Sequence, residues 1–249
     1  MIIAILQARM SSTRFPGKIM ETIDGIPMLL YQIKRISKSK FIDKLIVATT
    51  SDATDDIIVE LCKDNNISFY RGSITNVLER FYNIATLEKP LHIVRLTGDC
   101  PLIDPLIIDK VIENHLTFKD DYTSNTIFPT YPDGMDVEIM TYSTLMKVYE
   151  NAKRASLKEH VTLYINENKN LFKIANVENK INQSHFRLTV DEVEDLELIK
   201  LLLVYLSDKE NFTLDDIINV FKLNPKLLEI NNRYKRNEGL HKSLTEEIK

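Results

Sequence analysis

The 249 residues, 44% hydrophobic and 27% charged, suit a globular fold and are enough for one large domain or a domain with a subdomain. A formal net charge of -4 leaves no surplus of cations to neutralise a polyphosphate backbone, so nucleic acid is not an expected partner and any basic site must be local. Cys62 and Cys100 lie far apart with no CxxC spacing, which points to neither a disulfide framework nor a zinc site.

Ile2, Ile3, Ala4, Ile5 and Leu6 form an unbroken apolar run that reads as a strand buried on both faces. The run is too short for a signal peptide or a membrane span, so a cytoplasmic protein without a membrane partner is expected. It opens at once into Gln7-Ala8-Arg9-Met10-Ser11-Ser12-Thr13-Arg14-Phe15-Pro16-Gly17-Lys18, a small-residue turn with three cations. A turn follows at 25–27, then a helix over 28–37 with Leu29, Ile33 and Ile36 on one stripe. Strands at 44–50, 67–72 and 91–96 alternate with helices at 54–65, 76–87 and 107–115. Such alternation implies parallel strands, right-handed crossovers and helices on both faces.

The pattern changes after residue 121. Strands are expected at 122–125, 137–140, 172–177 and 186–190, and helices at 142–152, 156–167, 195–206 and 214–221, with a polar, basic tail through Lys235-Arg236. The economical reading is one α/β domain over 1–249, a mostly parallel mixed sheet flanked by helices. Residues 122–180 form an insertion over the sheet edge and 207–249 a helical C-terminal segment.

Three stretches can carry chemistry. In the first loop, Arg9, Arg14 and Lys18 can bind phosphates, Arg by planar two-point bonding and Lys as a point charge. Ser11, Ser12 and Thr13 add hydroxyls and exposed N–H groups that can form an anion nest. Neither GxxxxGK[ST] nor GxGxxG occurs, which disfavours P-loop hydrolases and Rossmann dehydrogenases. The second stretch is Arg95-Leu96-Thr97-Gly98-Asp99-Cys100-Pro101-Leu102-Ile103-Asp104. Asp99 stands just past a strand end, where a carboxylate faces the ligand crevice and suits Mg²⁺ beside a triphosphate; Asp104 reads as a helix cap. In the third, Asp191 ends the strand 186–190 and could share a metal with Asp99, while Glu192, Glu194 and Asp195 read as an acidic first helical turn.

Weaker constellations remain. Arg71-Gly72-Ser73 through Arg80 can reach a base or ribose, or form a solvated turn. Pro132-Asp133-Gly134-Met135-Asp136-Val137-Glu138 can line a polar acceptor pocket, and Arg154, Glu159 and His160 can bind or deprotonate an acceptor.

The opening block, with Leu6 to Lys18 at its centre, resembles the signature of the cytidylyltransferases that activate sugars with CTP, the CMP-KDO synthetase and acylneuraminate cytidylyltransferase type, and most nearly the spore coat polysaccharide biosynthesis SpsF group. The likeness recurs at Val47-Ala48-Thr49-Thr50, Arg71-Gly72-Ser73, Leu96 to Asp104, Tyr131 to Glu138, Glu159-His160-Val161-Thr162, Thr189-Val190-Asp191-Glu192 and Lys235-Arg236-Asn237-Glu238-Gly239. It implies a GT-A-like nucleotide-diphospho-sugar transferase fold, a homodimer, CTP and a small-molecule acceptor as ligands, and Mg²⁺ as cofactor.

The resemblance also implies roles for residues. Arg9, Arg14, Lys18 and Asp99 would be catalytic, and Asp99 and Asp191 would hold the metal. Leu6, Gln7, Ala8, Ser11, Arg71, Ser73, Thr97 and Gly98 would complete the nucleotide site. Asn125, Tyr131, Asp133, Gly134, Asp136, Glu138, Arg154, Glu159 and His160 would line the acceptor site, with 122–180 serving acceptor binding and dimerisation. The Gln-Ala-Arg opening is the SpsF-type form, where KDO and sialic acid enzymes have Pro-Ala-Arg. Open alternatives are a sugar-1-phosphate nucleotidyltransferase using another nucleoside triphosphate, and a non-catalytic nucleotide-binding homologue.

Overall fold

The computed structural model describes residues 1–209 and 211–247. The first half follows the alternating pattern. Strand β1 (Ile2–Gln7) leads through a short hairpin, β2 (Thr22–Ile23) and β3 (Ile26–Pro27), into helix α1 (Met28–Ile36). Then come β4 (Lys44–Thr50), α2 (Asp56–Asp64), β5 (Ser68–Gly72), α3 (Val77–Glu88), β6 (His92–Thr97) and α4 (Pro105–Phe118). Asn76 caps α3 by accepting from Glu79 N at 3.0 Å, and Asp104 caps α4 through Leu106 N at 2.9 Å. The turn placed at 25–27 lies one residue earlier, at Asp24-Gly25, where both residues have positive φ, as a tight hairpin requires.

The second half extends the same sheet. β7 (Tyr122–Ser124), β8 (Glu138–Thr141) and β9 (Ile174–Asn176) join it, so 122–180 contributes three strands as well as helices α5 (Tyr142–Asn151), α6 (Ala155–Glu159) and α7 (Leu163–Glu167). The chain ends with α8 (Val193–Tyr205), α9 (Leu214–Leu223) and α10 (Glu238–Glu247).

The seven strands run in the order β5-β4-β1-β6-β8-β7-β9. β8 is antiparallel to both neighbours and every other pairing in this sheet is parallel. The unbroken apolar run of β1 follows from its central place. Ala4 and Leu6 enter a core with α1, α2, α4, α8 and α9, while Ile3 and Ile5 enter the opposite core with α3, α5, α6 and α7. Successive side chains of a strand point to opposite faces, so both residue sets must be apolar.

Two expectations are corrected. Residues 186–190 are extended but form no strand of the sheet; an isolated bridge joins Arg187 to Asp133. The helix expected over 156–167 breaks at His160–Thr162 into α6 and α7, where the β-branched Val161 and Thr162 are buried in the core. Beyond the polar stretch at Lys235-Arg236, α10 packs against α6 and brings Glu238, Gly239 and Ser243 to a cavity wall.

Candidate active site

Strand order reverses between β4 and β6, on either side of β1, and a parallel sheet opens a crevice at such a switch point. Gln7 and Thr97 pair at the C-terminal ends of β1 and β6. Gly98 N then donates to Gln7 O at 2.8 Å, and a Cβ on Gly98 would stand 3.0 Å from that oxygen, so only glycine fits without displacing β1. Above this point lies a cavity of about 540 Å³ whose walls include Gln7, Ala8, Arg9, Arg14, Lys18, Thr97, Gly98 and Asp99. A second cavity of about 300 Å³ adjoins it toward β8, walled by Asp133, Asp136 and Glu138. The two share Arg14, Arg95, Thr97, Asp99, His160, Asp191, Glu238 and Gly239.

The basic loop is fixed from beneath. Asp55 accepts from Met10 N at 2.7 Å, from Thr49 Oγ1 at 2.9 Å and from Thr50 N at 3.0 Å. Ser12 N and Gly17 N both donate to Met10 O at 2.9 Å, closing the loop on itself. This closure carries Lys18 inward. Its ammonium is buried and donates to Val190 O at 2.6 Å, to Asp191 at 2.8 Å and to Asp99 at 3.4 Å. Burial pulls the Lys18 pKa down, but Asp99 and Asp191 outweigh it and the net shift is upward. For Asp99, burial favours the neutral acid, yet Lys18, Thr97 and Cys100 bring its pKa below the ordinary carboxylate value.

Although 186–190 is no strand, it still delivers Asp191. Val190 N donates to Asp99 O at 2.8 Å, and Leu188 N to Asp133 O at 2.7 Å. Gly134 permits this contact: its φ is +97°, and a Cβ there would meet Leu188 C at 2.5 Å. Asp191 also meets Arg14 at 2.8 Å and Arg187 at 3.3 Å. Arg187 is held by the fully buried Asp195, with Nε and Nη2 each donating at 2.8 Å. Asp195 accepts from Asp191 N and Glu192 N as well, both at 2.9 Å, so it organises this whole turn besides starting α8.

The second cavity is carboxylate-rich, but most of its acids have cations. Glu138 bonds Arg95 and the Tyr122 hydroxyl, Asp136 bonds Arg236, and Asp133 lies 3.3 Å from Arg187. Burial, followed by repulsion from Asp136, nevertheless pushes the Asp133 pKa up to about 7, against the pull of Arg236 and Arg187. His160 sits between the cavities with Nε2 buried and, among the described residues, without a hydrogen-bond partner; the Glu159 carboxylate is 3.9 Å away. Burial lowers the His160 pKa against the pull of Glu159, which favours the neutral imidazole.

A family profile described as "Cytidylyltransferase" matches residues 3–232. The chain belongs to the cytidylyltransferase family. It is 33% identical over 231 residues to the spore coat polysaccharide biosynthesis protein SpsF of Bacillus subtilis, covering 90% of this chain and 95% of that protein. A solved cytidylyltransferase of Leptospira borgpetersenii superposes with a TM-score of 0.87 at 35% identity, over 91% of this chain and 96% of that one. A CMP:2-keto-3-deoxy-manno-octonic acid synthetase, solved in complex with CTP, shares the fold at a TM-score of 0.63 and 14% identity, over 82% of this chain and 98% of that one.

In this cytidylyltransferase-family chain, Gln7, Ala8, Arg9, Arg14, Lys18, Thr97, Gly98, Asp99 and Asp191 meet around the first cavity. Asp133, Asp136 and Glu138 line the second, Glu159 lines the first, and His160 lines both. The other expected site residues lie outside both cavity walls. Leu6 is core, and Ser11 is exposed on the loop. Arg71 turns away to Thr50 O, Asp52 O and Asp56, and Ser73 accepts from Asn76 N before α3. Buried Asn125 braces the 135–137 backbone by bonds to Met135 O and Val137 N, and the buried Tyr131 hydroxyl accepts from Lys110. Gly134 serves the backbone contact described above, and Arg154 pairs with Glu167 and Glu247.

Sequence reading gave no role to Arg95, Glu238, Gly239 or Ser243, all of which line the first cavity. For the tail residues a signal existed, because the family likeness itself reaches Glu238-Gly239.

Proposed function

We propose that the first cavity binds CTP, the second an acceptor with a free hydroxyl of the sugar, sugar-acid or phosphorylated small-molecule class, and that the protein transfers CMP between them. The observation that carries this reading is the meeting of Lys18, Asp99 and Asp191 where the two cavities join. There an acceptor oxygen attacks the α-phosphorus in line, the α–β phosphoanhydride bond breaks, and pyrophosphate leaves on the side of Arg9 and Arg14. Lys18 steadies charge on the phosphoryl oxygens, and the two arginines offset charge on the departing group. Neutral His160 Nε2 is suited to receive the hydroxyl proton.

Magnesium fits the donor set. Asp99 and Asp191 converge on a single cation, Lys18 Nζ, and two carboxylates suffice where phosphate oxygens and water complete an octahedral shell. Among the described residues no cluster of three or more acidic, His or Cys side chains forms a closed metal cage, which suits an ion that arrives with the nucleotide. Bound there, Mg²⁺ would neutralise the phosphates and polarise the α-phosphorus.

The SpsF likeness supports a place in surface polysaccharide synthesis. Cytoplasmic CTP would supply the reaction, and no helix among the described residues is long and apolar enough to cross a membrane. A homodimer through 122–180 is part of the same reading, and exposed Phe128 and Leu171 offer apolar surface for it. A one-chain mass by light scattering would contradict that part alone. The test of function is pyrophosphate release from CTP and Mg²⁺ against a library of sugar acids, phosphosugars and polyol phosphates. One acceptor should stimulate release, and Asp99→Ala should abolish it. Undiminished release by that variant overturns the metal assignment, and a preference for another nucleoside triphosphate overturns the choice of CTP.

A further inference from the structure

Of the stretch from Arg71 to Arg80 that the sequence placed within reach of a base or ribose, Arg80 is the residue on the wall of the nucleotide cavity together with Val77. It lies on α3, is only 2% exposed, and forms part of the wall with Val77, Ala8 and Arg9. Nη1 donates to Ala48 O at 3.1 Å, a carbonyl that already accepts from Ala8 N, while the buried Nε has no partner among the described residues. No carboxylate within ion-pair distance neutralises it among the described residues. Asp55 attracts it from a distance, but that carboxylate is already engaged by Met10, Thr49 and Thr50. The chain also makes room for it: a Cβ on Gly72 would stand 2.8 Å from Arg80 Cγ. A buried cation with an orphaned donor is costly unless a ligand supplies acceptors.

Its position says which part of a nucleotide that is. The reaction centre is the wall shared by both cavities, at the ends of β6 and the 186–190 segment. Arg80 is tied instead to β4, on the far side of β1. The loop hydroxyls Ser12 and Thr13 and the cations Arg9 and Arg14 serve phosphates. Val77 and Ala8 beside Arg80 give an apolar wall suited to the face of a ring.

We propose that Arg80 reads the pyrimidine: its guanidinium donates to the O2 and N3 acceptors of cytosine and rejects uracil, whose N3 carries a hydrogen. A guanidinium has donors only, so N3–H of uracil would leave two donors opposed in a buried site. Selection then comes as much from this clash as from the bonds to cytosine. The proposal rests on the CTP reading and adds to it the residue that makes the choice.

The test is calorimetric binding of CMP, UMP and inorganic pyrophosphate to the wild type, Arg80→Gln and Arg80→Lys. The wild type should prefer CMP over UMP by about tenfold or more, as expected for hydrogen bonds to a charged group. Arg80→Gln should weaken CMP about tenfold to a hundredfold and bring the CMP:UMP ratio near one, because a carboxamide can present either a donor or an acceptor. Arg80→Lys, a single point of donation, should fall between. Pyrophosphate affinity should stay within about threefold of wild type in both variants, since its ligands are on the loop. An unchanged CMP:UMP ratio in Arg80→Gln overturns the proposal, and so does a parallel loss of pyrophosphate, which would make Arg80 a phosphate ligand. If the variants do not fold, wild-type binding of 3-deazacytidine monophosphate decides: a loss of about tenfold against CMP supports the assignment, and equal binding refutes it. Wild-type protein that binds neither CMP nor CTP refutes the CTP reading itself, a different failure from CMP and UMP binding equally.

Discussion

Replacing Lys18 by Met keeps an unbranched side chain of nearly the same length and removes the charge together with its N–H donors. The Lys18 side chain is 8% exposed, and its ammonium holds three oxygens, on Val190, Asp191 and Asp99. Breaking a buried ion pair from one side costs about 3–5 kcal/mol. Two features reduce that here. Asp99 is 28% exposed and can turn to water, and Asp191 keeps Arg14 at 2.8 Å and Arg187 at 3.3 Å. A net loss of about 2–4 kcal/mol is therefore expected. With 249 residues, unfolding entropy is about 0.5 kcal/mol per kelvin, so Tm should fall by about 4–8 °C in calorimetry with chelator present. Millimolar Mg²⁺ should restore part of this in Lys18→Met, because the two carboxylates then lack their internal cation, and should shift the wild type less. Turnover should drop by about 10²–10³ whether or not the fold is rescued. Wild-type Tm and wild-type turnover together would refute the assignment of Lys18 to the reaction centre.

Other expectations follow from particular contacts. His115 is fully buried, with His92 at 3.0 Å and Thr123 Oγ1 at 3.1 Å, and burial, then His92, lowers its pKa to about 4. The unfolded chain takes up this proton first, so stability should fall between about pH 6.5 and 4, by about 2–3 kcal/mol. Denaturant titrations should show that slope in the wild type and its loss in His115→Gln; an unaltered slope contradicts the assignment. Gly134→Ala puts a methyl 2.5 Å from Leu188 C at a φ of +97°, so it should cost about 3 kcal/mol or more and reduce turnover by displacing Asp191. A variant within about 0.5 kcal/mol of wild type would show the turn to be free to adjust. Glu238 holds Arg14 at 3.1 Å at the cavity mouth. Since that pair is solvent-accessible, Glu238→Gln should leave stability within about 0.5 kcal/mol yet tighten pyrophosphate binding severalfold, by removing a carboxylate that competes for Arg14. Weaker pyrophosphate binding would refute the competition.

The parts of this protein legible in the sequence are those set by local pattern. The apolar run at Ile2–Gln7 and the alternation through α4 reflect burial on both faces, and the strand-end position of Asp99 follows from that register. The meeting of Asp99 with Asp191 was legible as a possibility, although the supposed strand at 186–190 proved to be an extended segment bonded to residues 99 and 133. A run such as Phe186-Arg187-Leu188-Thr189-Val190 has strand composition whether or not a ladder receives it, and tertiary contacts decide. Arg71 and Arg80 show the same limit for a site. Both lie near one turn in sequence, but Arg71 finds Asp56 and two carbonyls outside the cavity, while the stem of Arg80 fits against Gly72 and the residue forms part of the cavity wall. Helix α10 offers little apolar pattern, only Leu240 and Leu244 one turn apart among polar residues. Polar contacts dock it, Ser243 to Glu159 at 3.0 Å and Arg236 to Tyr131 O at 3.1 Å just before it, and polarity of that kind reads as a solvated tail.

The central claim is that the α-phosphorus of CTP lies at the junction of the two cavities. It is tested most directly by a crystal structure with Mg²⁺ and a CTP analogue whose α–β bridge cannot be cleaved. The account predicts the metal on Asp99 and Asp191, the α-phosphate against Lys18 and open toward the second cavity, and cytosine on the Arg80 side. Phosphates bound at Arg80 with the base at Asp99, or a triphosphate bound outside this crevice, would contradict it.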